Sequence, residues 1–454
     1  MSQTHNSSYK YKQIQEFQIL PITSNLIQNM FLSIEADKTA KLINMHKQDP
    51  SSSSSSAAAE QVAANDDLLI EILARLPLTS LPKFKSVSKH WLSLITSPYF
   101  ARIRNLNPNI ISGLLLHSST HKLVPDLDFI PLETIENPTL FPSLSAIRII
   151  NSCKGLICCE NEQKYHVLNP TTKQFTSLPE PCAALGNLSL AFDPSRSPHY
   201  KVVHVWCTNY DSFSESYTDQ SYFQIEIYSS ETGSWKASGE PFVADMFMYV
   251  HGGVYWNGAI NWFCNWGDSL YFNVDEERLG VLPMIGGPEH NDVDERDNWR
   301  LVECRGHLHL VQVYGLMTRF NVYEMEKDYS GWSVKYRVDL DLIGIAFPRM
   351  MKRLPTDPSH YAYAVLTLVR EEKEEDSFLV IHVPGKVIRY NLVDKSFKKI
   401  CDVDNEGVTE DSLIYFWCDA FQYIESLSLM GGVTLIWIGL YGFLRYLYRW
   451  LLPQ

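Results

Sequence analysis

His307 and His309 are the residues of this chain whose type and spacing come nearest to a metal site. They lie two apart in His307-Leu308-His309-Leu310-Val311-Gln312-Val313, an alternating run that reads as a β-strand, so both imidazoles fall on one face. Two imidazoles are half of a tetrahedral zinc shell, and the sequence fixes no acidic or cysteine partner beside them. Packing or surface roles are therefore expected. Nine cysteines run from Cys153 to Cys418 with no C-x-x-C pair, which argues against a zinc ribbon or a disulfide framework. Cys158 and Cys159, adjacent in an apolar strand, point to opposite faces and read as buried thiols of a reducing, cytosolic or nuclear compartment. No Gly-rich phosphate loop, H-E-x-x-H or G-x-S-x-G occurs, so no nucleotide, metalloprotease or hydrolase chemistry is indicated. The expectation is a chain without catalytic constellation, metal or cofactor, acting by binding.

Charge narrows what it binds. With 454 residues and a formal net charge of −13, the chain has length for two or three domains and lacks the clustered basic surface that nucleic acid demands. Acidic clusters at Asp292-Val293-Asp294-Glu295 and at Glu371-Glu372-Lys373-Glu374-Glu375-Asp376 read as solvated loops. Trp206, Trp235, Trp256, Trp262, Trp266 and Trp332 fit the cores of a β domain, with one or two able to anchor a target segment.

The elements that must position these residues change character along the chain. Residues 1–62 carry no Cys or Trp, include six serines at Ser51 to Ser56 and show no sustained period. They are expected to be disordered, with the serine tract a tether. Within residues 64–104, Leu68, Leu69, Ile72, Leu73 and Leu76 fall on one helix face, with Asp66 or Asp67 placed to cap its start and Pro77 unable to continue it. A second helix is expected from Thr79 or Ser80 through Leu81 and Phe84, and a third through Val87, Trp91, Leu94 and Ile95. Three helices in about 35 residues cannot bury this much apolar surface among themselves, so part of it should face another protein.

From about 108 to 427 short apolar or alternating runs are separated by Gly, Asn, Asp, Ser and Pro, and long helical periods are absent. Gly253-Val254-Tyr255-Trp256-Asn257-Gly258-Ala259-Ile260-Asn261-Trp262 is a strand, a tight Asn-Gly turn and a second strand. A strand, polar turn, strand unit recurs at Asn169, Tyr228, Asn273, Tyr323 and Asn391. The three central positions are spaced by 45 and 50 residues, about one four-stranded propeller blade. The outer gaps, 59 and 68, are longer, which implies insertions or a missed unit. The fold expected is α+β and multidomain: a short three-helix module followed by an all-β domain, an irregular kelch-like β-propeller or, alternatively, packed β-sheets.

Two resemblances agree with this division. Asp67-Leu68-Leu69, Glu71-Ile72-Leu73, Arg75-Leu76-Pro77, Ser80-Leu81, Phe84-Lys85, Val87-Ser88-Lys89, Trp91, Leu94-Ile95 and Ser97-Pro98-Tyr99-Phe100 follow in order as in an F-box, above all the plant form. The run resembles that adaptor-binding module of Skp–cullin–F-box ubiquitin ligases. The family usually opens with Leu-Pro where this chain has Ala64-Asn65, a loss of about 1–3 kcal/mol if that leucine is fully buried. Restoring Leu-Pro there should tighten adaptor binding. The resemblance implies that Leu68, Leu69, Ile72, Leu73, Leu76, Pro77, Leu81, Phe84, Val87, Trp91 and Leu94 form the adaptor-binding face. Further on, Asn151-Ser152-Cys153-Lys154-Gly155-Leu156-Ile157-Cys158, Asn169-Pro170-Thr171-Thr172, Ala191-Phe192-Asp193-Pro194 and Tyr423-Ile424-Glu425-Ser426-Leu427 resemble the F-box-associated domain of plant F-box proteins. Together they imply a non-enzymatic receptor: the helical module would hold the adaptor and through it the cullin, and the β domain would hold a target protein. A cullin-independent interaction module is the alternative.

The last feature is apolar. Ser426 to Leu444 contains no Lys, Arg, Asp or Glu, and 19 residues as a helix would span about 28 Å, near the hydrocarbon thickness of a bilayer. Residues 428–454 are therefore expected to be a tail with a possible role as a membrane anchor, or else a helix packed on the β domain.

Overall fold

The computed structural model describes residues 65–104 without 75, 77–80, 98 and 101–102, and residues 111–436 without 118–126, 133–146, 184–185, 209–220, 245–252, 265–267, 286–296, 355–359, 404–411 and 429–434. The expected disordered region and serine tether lie outside these residues. The chain divides into two units between Arg104 and Asn105.

The first unit holds α1 (Asp66–Ala74), α2 (Leu81–Lys85) and α3 (Lys89–Thr96). The cap of α1 is not an aspartate, as expected, but Asn65, whose Oδ1 accepts from the Asp67 and Leu68 N–H groups at 3.1 and 3.2 Å. A short amide oxygen one residue before the helix reaches the free N–H groups that the aspartates, already inside the first turn, cannot. Asp66 instead meets His90 Nε2 of α3 at 2.9 Å. Ser88 caps α3 by accepting from Trp91 N–H at 3.1 Å. At the other end of α1, Arg104 donates to the Ala74 and Leu76 carbonyls at 2.9 and 2.6 Å, satisfying acceptors that a helix C-terminus leaves free. The expected start of the second helix, and Pro77, lie outside the described residues.

The second unit is built of antiparallel β meanders. Strands β1 (Ile111–His117) and β2 (Leu127–Pro131) come first. Meanders of four strands follow: β3 (Arg148–Cys153), β4 (Leu156–Asn161), β5 (Lys164–Asn169) and β6 (Gln174–Ser177); then β7 (Asn187–Ala191), β8 (Lys201–Cys207), β9 (Ser221–Ser229) and β10 (Ser234–Ala244). Next are β11 (Val254–Trp256), β12 (Ala259–Trp262), β13 (Leu270–Asn273) and β14 (Arg278–Val281), and β15 (Asp297–Cys304), β16 (His307–Tyr314), β17 (Arg319–Met325) and β18 (Trp332–Asp339). After α4 (Asp341–Ala346) come β19 (Ala364–Val369), β20 (Phe378–Val383), β21 (Lys386–Asn391) and β22 (Phe397–Asp402), and last β23 (Ala420–Ile424) and β24 (Leu435–Ile436).

β23 does not start a new sheet. It pairs antiparallel with β1, Leu114 opposite Gln422 and Leu116 opposite Ala420, so the first blade is β2-β1-β23 and is made from both ends of the domain. The innermost strands β3, β7, β11, β15, β19 and β23 pack each on the next, and β23 packs back on β3. The result is a closed six-bladed propeller, the propeller expectation rather than the packed sheets. The unit missed by spacing is this split first blade, and the radial arrangement leaves each blade only short, protected edges.

The repeat is written in one turn. In five blades the residue four places after the end of the third strand has positive φ: Lys173 at 57°, Gly233 at 71°, Glu277 at 52°, Tyr329 at 61° and Lys395 at 61°. In three of them the strand ends on an asparagine whose Oδ1 accepts from the N–H groups two and three residues on: Asn169 at 3.0 and 3.2 Å, Asn273 at 3.0 and 2.9 Å, Asn391 at 2.8 and 2.9 Å. The side chain mimics a backbone turn, which is why Asn-containing units recur in the sequence. Gly155 (φ 89°) closes the turn of the Asn151–Cys158 motif, and a Cβ there would lie 2.8 Å from the Ile424 carbonyl oxygen.

Closure is also polar. Asn169 Nδ2 donates to the Ser426 and Ser428 carbonyls at 3.1 and 2.9 Å, and the Tyr423 hydroxyl meets Thr171 Oγ1 at 3.1 Å. A chain ending before Ala420 is therefore expected to lose the cooperative unfolding of the β domain, whereas one ending after Ser428 keeps it. Denaturant melts of the two truncations followed by tryptophan fluorescence check this.

Candidate functional site

Burial sorts the eleven residues of the expected adaptor face into two groups. Leu69, Leu73, Leu76, Leu81, Phe84 and Trp91 are buried, and the Phe84 and Trp91 rings stack with centroids 5.8 Å apart. These six are core in the structure as it stands. Ile72, Val87 and Leu94 are half-buried, Leu68 is 44% exposed, and Pro77 lies outside the described residues. Leu68 and Ile72 are one helical turn apart on α1 and share a stripe. Leu92 and Tyr99, which spacing did not single out, are also exposed, at 44% and 53%. The signal that could have found Leu92 is its position just off the Trp91–Ile95 stripe, where a leucine has no core of its own to fill. The helical module thus retains accessible apolar side chains on α1 and α3.

His307 and His309 share a face of β16, and the partner that their own segment lacks comes from the next strand. The β16–β17 register sets Glu324 opposite His309. Glu324 Oε1 pairs with His307 Nδ1, and Arg370 Nη1 donates to both Glu324 oxygens at 3.3 and 3.2 Å. Lys335 Nζ lies 3.6 Å from Glu324 and 3.5 Å from Glu374, and Arg370 Nη2 lies 3.6 Å from Glu374. Burial by itself would raise the Glu324 pKa; Arg370 and the His309 and His307 imidazoles more than offset this and lower it. Its oxygens are engaged by cations that a metal would have to displace. Among the described residues no group of three or more His, Cys, Asp or Glu is placed to hold a metal ion. The cluster is an ion network between the fifth and sixth blades.

Tryptophans fasten blade to blade. Trp235 Nε1 donates to the Pro179 carbonyl at 2.8 Å, Trp256 Nε1 to Gly306 at 2.9 Å and Trp332 Nε1 to Pro283 at 2.9 Å, each across a blade boundary. Trp262 is buried between the third and fourth blades, and Trp206 stacks on His204 with centroids 5.2 Å apart. Trp266 lies outside the described residues. All nine cysteines are free. Burial pushes the Cys153, Cys158 and Cys304 thiols up to about 12, the opposite of what a nucleophile needs. On the propeller, Leu342 and Ile345 of α4 are largely exposed and form a second apolar surface.

The apolar run from Ser426 to Leu444 is described only at 426–428 and 435–436. Leu435–Ile436 is extended and pairs antiparallel with Phe175 and Gln174 at the edge of β6, where the sequence had suggested a helix. Among the described residues no helix is long and apolar enough to cross a membrane.

Comparison with known proteins places both units. Residues 65–103 match the family described as the F-box domain, and residues 101–340 match that described as the F-box associated beta propeller domain. It is under this description, and not as a kelch repeat, that the propeller matches. Among curated proteins, F-box protein At5g07610 of Arabidopsis thaliana is 38% identical over 393 residues, covering 80% of this chain and 91% of its own. A putative Arabidopsis thaliana F-box protein, At3g10240, is 25% identical over 293 residues, 59% of this chain and 70% of its own.

Proposed function

The chain belongs to the F-box proteins that carry an F-box associated beta propeller, and on that premise we propose that it is the substrate-recognition subunit of a Skp–cullin–F-box ubiquitin ligase. The helical module binds the Skp-type adaptor, and through it the cullin. The propeller binds the target protein. Ubiquitin transfer takes place on other subunits, and this chain contributes proximity and orientation; it is not itself an enzyme. The observation that carries the reading is the surface left on the F-box helices, where Leu68, Leu92 and Tyr99 stay exposed although the module has a core to offer them. Tagged full-length chain expressed in plant cells is expected to recover adaptor and cullin together. Recovery of target proteins without either would favour the cullin-independent module instead.

The apolar tail adds a proposed membrane contact, which leaves the F-box and propeller on the cytosolic side. Full-length chain is expected in the carbonate-resistant membrane fraction, and a chain ending after Ser428 in the supernatant. That end point keeps Ser426 and Ser428, both buried and bonded to Asn169, so it tests the tail without opening the ring. Identical fractionation of the two chains would remove the membrane contact from the proposal.

A further inference from the structure

A cavity of about 150 Å³ opens at the end of the propeller where the inner strands of the fifth, sixth and first blades begin. Its lining includes Trp299 and Arg300 from the start of β15, Tyr363 and Ala364 at the start of β19, and Phe416 and Trp417 just before β23. The Trp299 ring is fixed by stacking on Phe263, with centroids 4.6 Å apart and planes 19° apart. Val311, Val313, Leu354 and Val365 add aliphatic wall beside these rings, and His360 also lines the cavity.

Arg300 is the cation of this cavity. Its Nη1 donates to the Trp417 carbonyl and its Nη2 to the Ala420 carbonyl at 2.7 Å, which positions the start of β23. A guanidinium carries five N–H donors, so these two bonds leave three. Among the described residues no carboxylate forms an ion pair with it. The nearest in effect, Asp419, accepts from Phe416 N–H at 2.9 Å and is itself pushed up in pKa by burial. Burial lowers the Arg300 pKa to about 10, against the opposing influence of Cys418 and Asp419. A buried cation without a counter-ion is costly; Arg300 is half-buried and lines the cavity.

We propose that this cavity takes the carboxylate of an Asp or Glu side chain of the target protein, with Arg300 as its counter-ion and the apolar walls packed around its methylene stem. The inference rests on the reading of the propeller as the target-binding domain and names the chemistry that the domain selects. Size favours one side chain: a dry cavity of about 150 Å³ admits a benzene molecule, while pockets for drug-sized ligands run to roughly 300–1,000 Å³. Charge favours the acid over its amide. A guanidinium makes two parallel charge-assisted bonds to a carboxylate and cannot do so with a neutral carboxamide.

The test uses the full-length chain co-expressed with a Skp-type adaptor, titrated with the capped peptides acetyl-Leu-Glu-Leu-amide and acetyl-Leu-Gln-Leu-amide while tryptophan fluorescence is read. The glutamate peptide is expected to bind at least about tenfold more tightly than the glutamine peptide, a difference of about 1.4 kcal/mol. Trp299→Phe should reduce the fluorescence response and so place the peptide in the cavity. Arg300→Met should abolish the preference and Arg300→Lys should retain part of it. Because Arg300→Met also frees the start of β23, the wild-type comparison decides if that variant does not fold: equal affinities for the two peptides overturn the proposal. Glutarate binding as tightly as the peptide would overturn it in favour of a free small acid. Adaptor recovery in the same preparation is read separately. Equal peptide affinities with adaptor bound refute the cavity alone, and a glutamate preference with no adaptor bound refutes the ligase reading alone.

Discussion

Full-length chain carrying Leu68→Asp and Ile72→Asp is expected to lose the Skp-type adaptor on co-purification while its far-UV circular dichroism and melting stay close to wild type. Leu68 is 44% exposed and Ile72 half-buried, so charges at these positions remain near water in the free chain and lose it only when a partner covers them. Leu73→Asp is expected to behave differently. Leu73 is buried at 1% exposure, and an unpaired carboxylate there costs several kcal/mol in the module itself. Adaptor loss in Leu73→Asp therefore reports unfolding, and only the Leu68, Ile72 pair reports the interface. Wild-type adaptor recovery by the folded pair would remove the α1 stripe from the binding face. The missing Leu-Pro can be examined in the same assay, but not by restoring both residues. Asn65 caps α1, and proline there removes the side-chain acceptor at a cost of about 1 kcal/mol. Ala64→Leu alone is the change expected to tighten adaptor binding.

The β domain is expected to lose stability steeply as the pH falls from 6.5 towards 4. Burial lowers the pKa of three histidines from 6.5 to about 4: His117, with Arg148 adding to the effect; His309, partly opposed by Glu324; and His382, partly opposed by the Tyr415 carbonyl. It lowers that of the buried His204 as well, partly opposed by Glu226. His117 has a further reason to stay neutral, because its Nε2 accepts from Ile149 N–H at 2.7 Å. In this range the unfolded chain binds protons that the folded chain refuses, so stability falls on acidification. A shift of this size is worth about 3 kcal/mol per histidine when complete. Asp419, pushed up by burial, acts in the opposite sense as one group against these several imidazoles. Lowered carboxylates such as Glu324 add their loss only below their unfolded pKa near 4.5, so the histidine window precedes it. Denaturant melts at pH 7 and pH 4.5 should differ by several kcal/mol, and His382→Asn should flatten the dependence. Equal stability at the two pH values would show that these imidazoles are not neutral in the fold.

Legibility in the sequence followed the range of the interactions. The helix of Leu69 and Leu73, and the recurring turns at Asn169, Asn273 and Asn391, are set by contacts within a few residues, so spacing reveals them. The Asn257-Gly258 hairpin is local in the same way. The same spacing assigned Leu68 and Leu69 alike to a partner, because an apolar stripe does not say which of its edges meets its own module and which meets another protein. The cap was misplaced for a small reason: Asp66 and Asp67 are good capping types, but the chain enters the helix one residue earlier.

What only the tertiary structure decided involves residues far apart in the chain. The first blade could not be counted from repeats, since β1 and β23 are separated by the whole domain and pair only once the ring closes. Glu324 was hidden from His307 and His309 because the partner is set by strand register, not by neighbourhood in sequence. Arg300 carried no motif at all; it became notable when folding brought it to the Trp417 and Ala420 carbonyls and left it with no carboxylate ion pair among the described residues. Composition, local period and turn chemistry thus determined a three-helix module followed by a bladed β domain. Burial, register and closure determined which side chains remain available to a partner, because each depends on what the rest of the chain places around them.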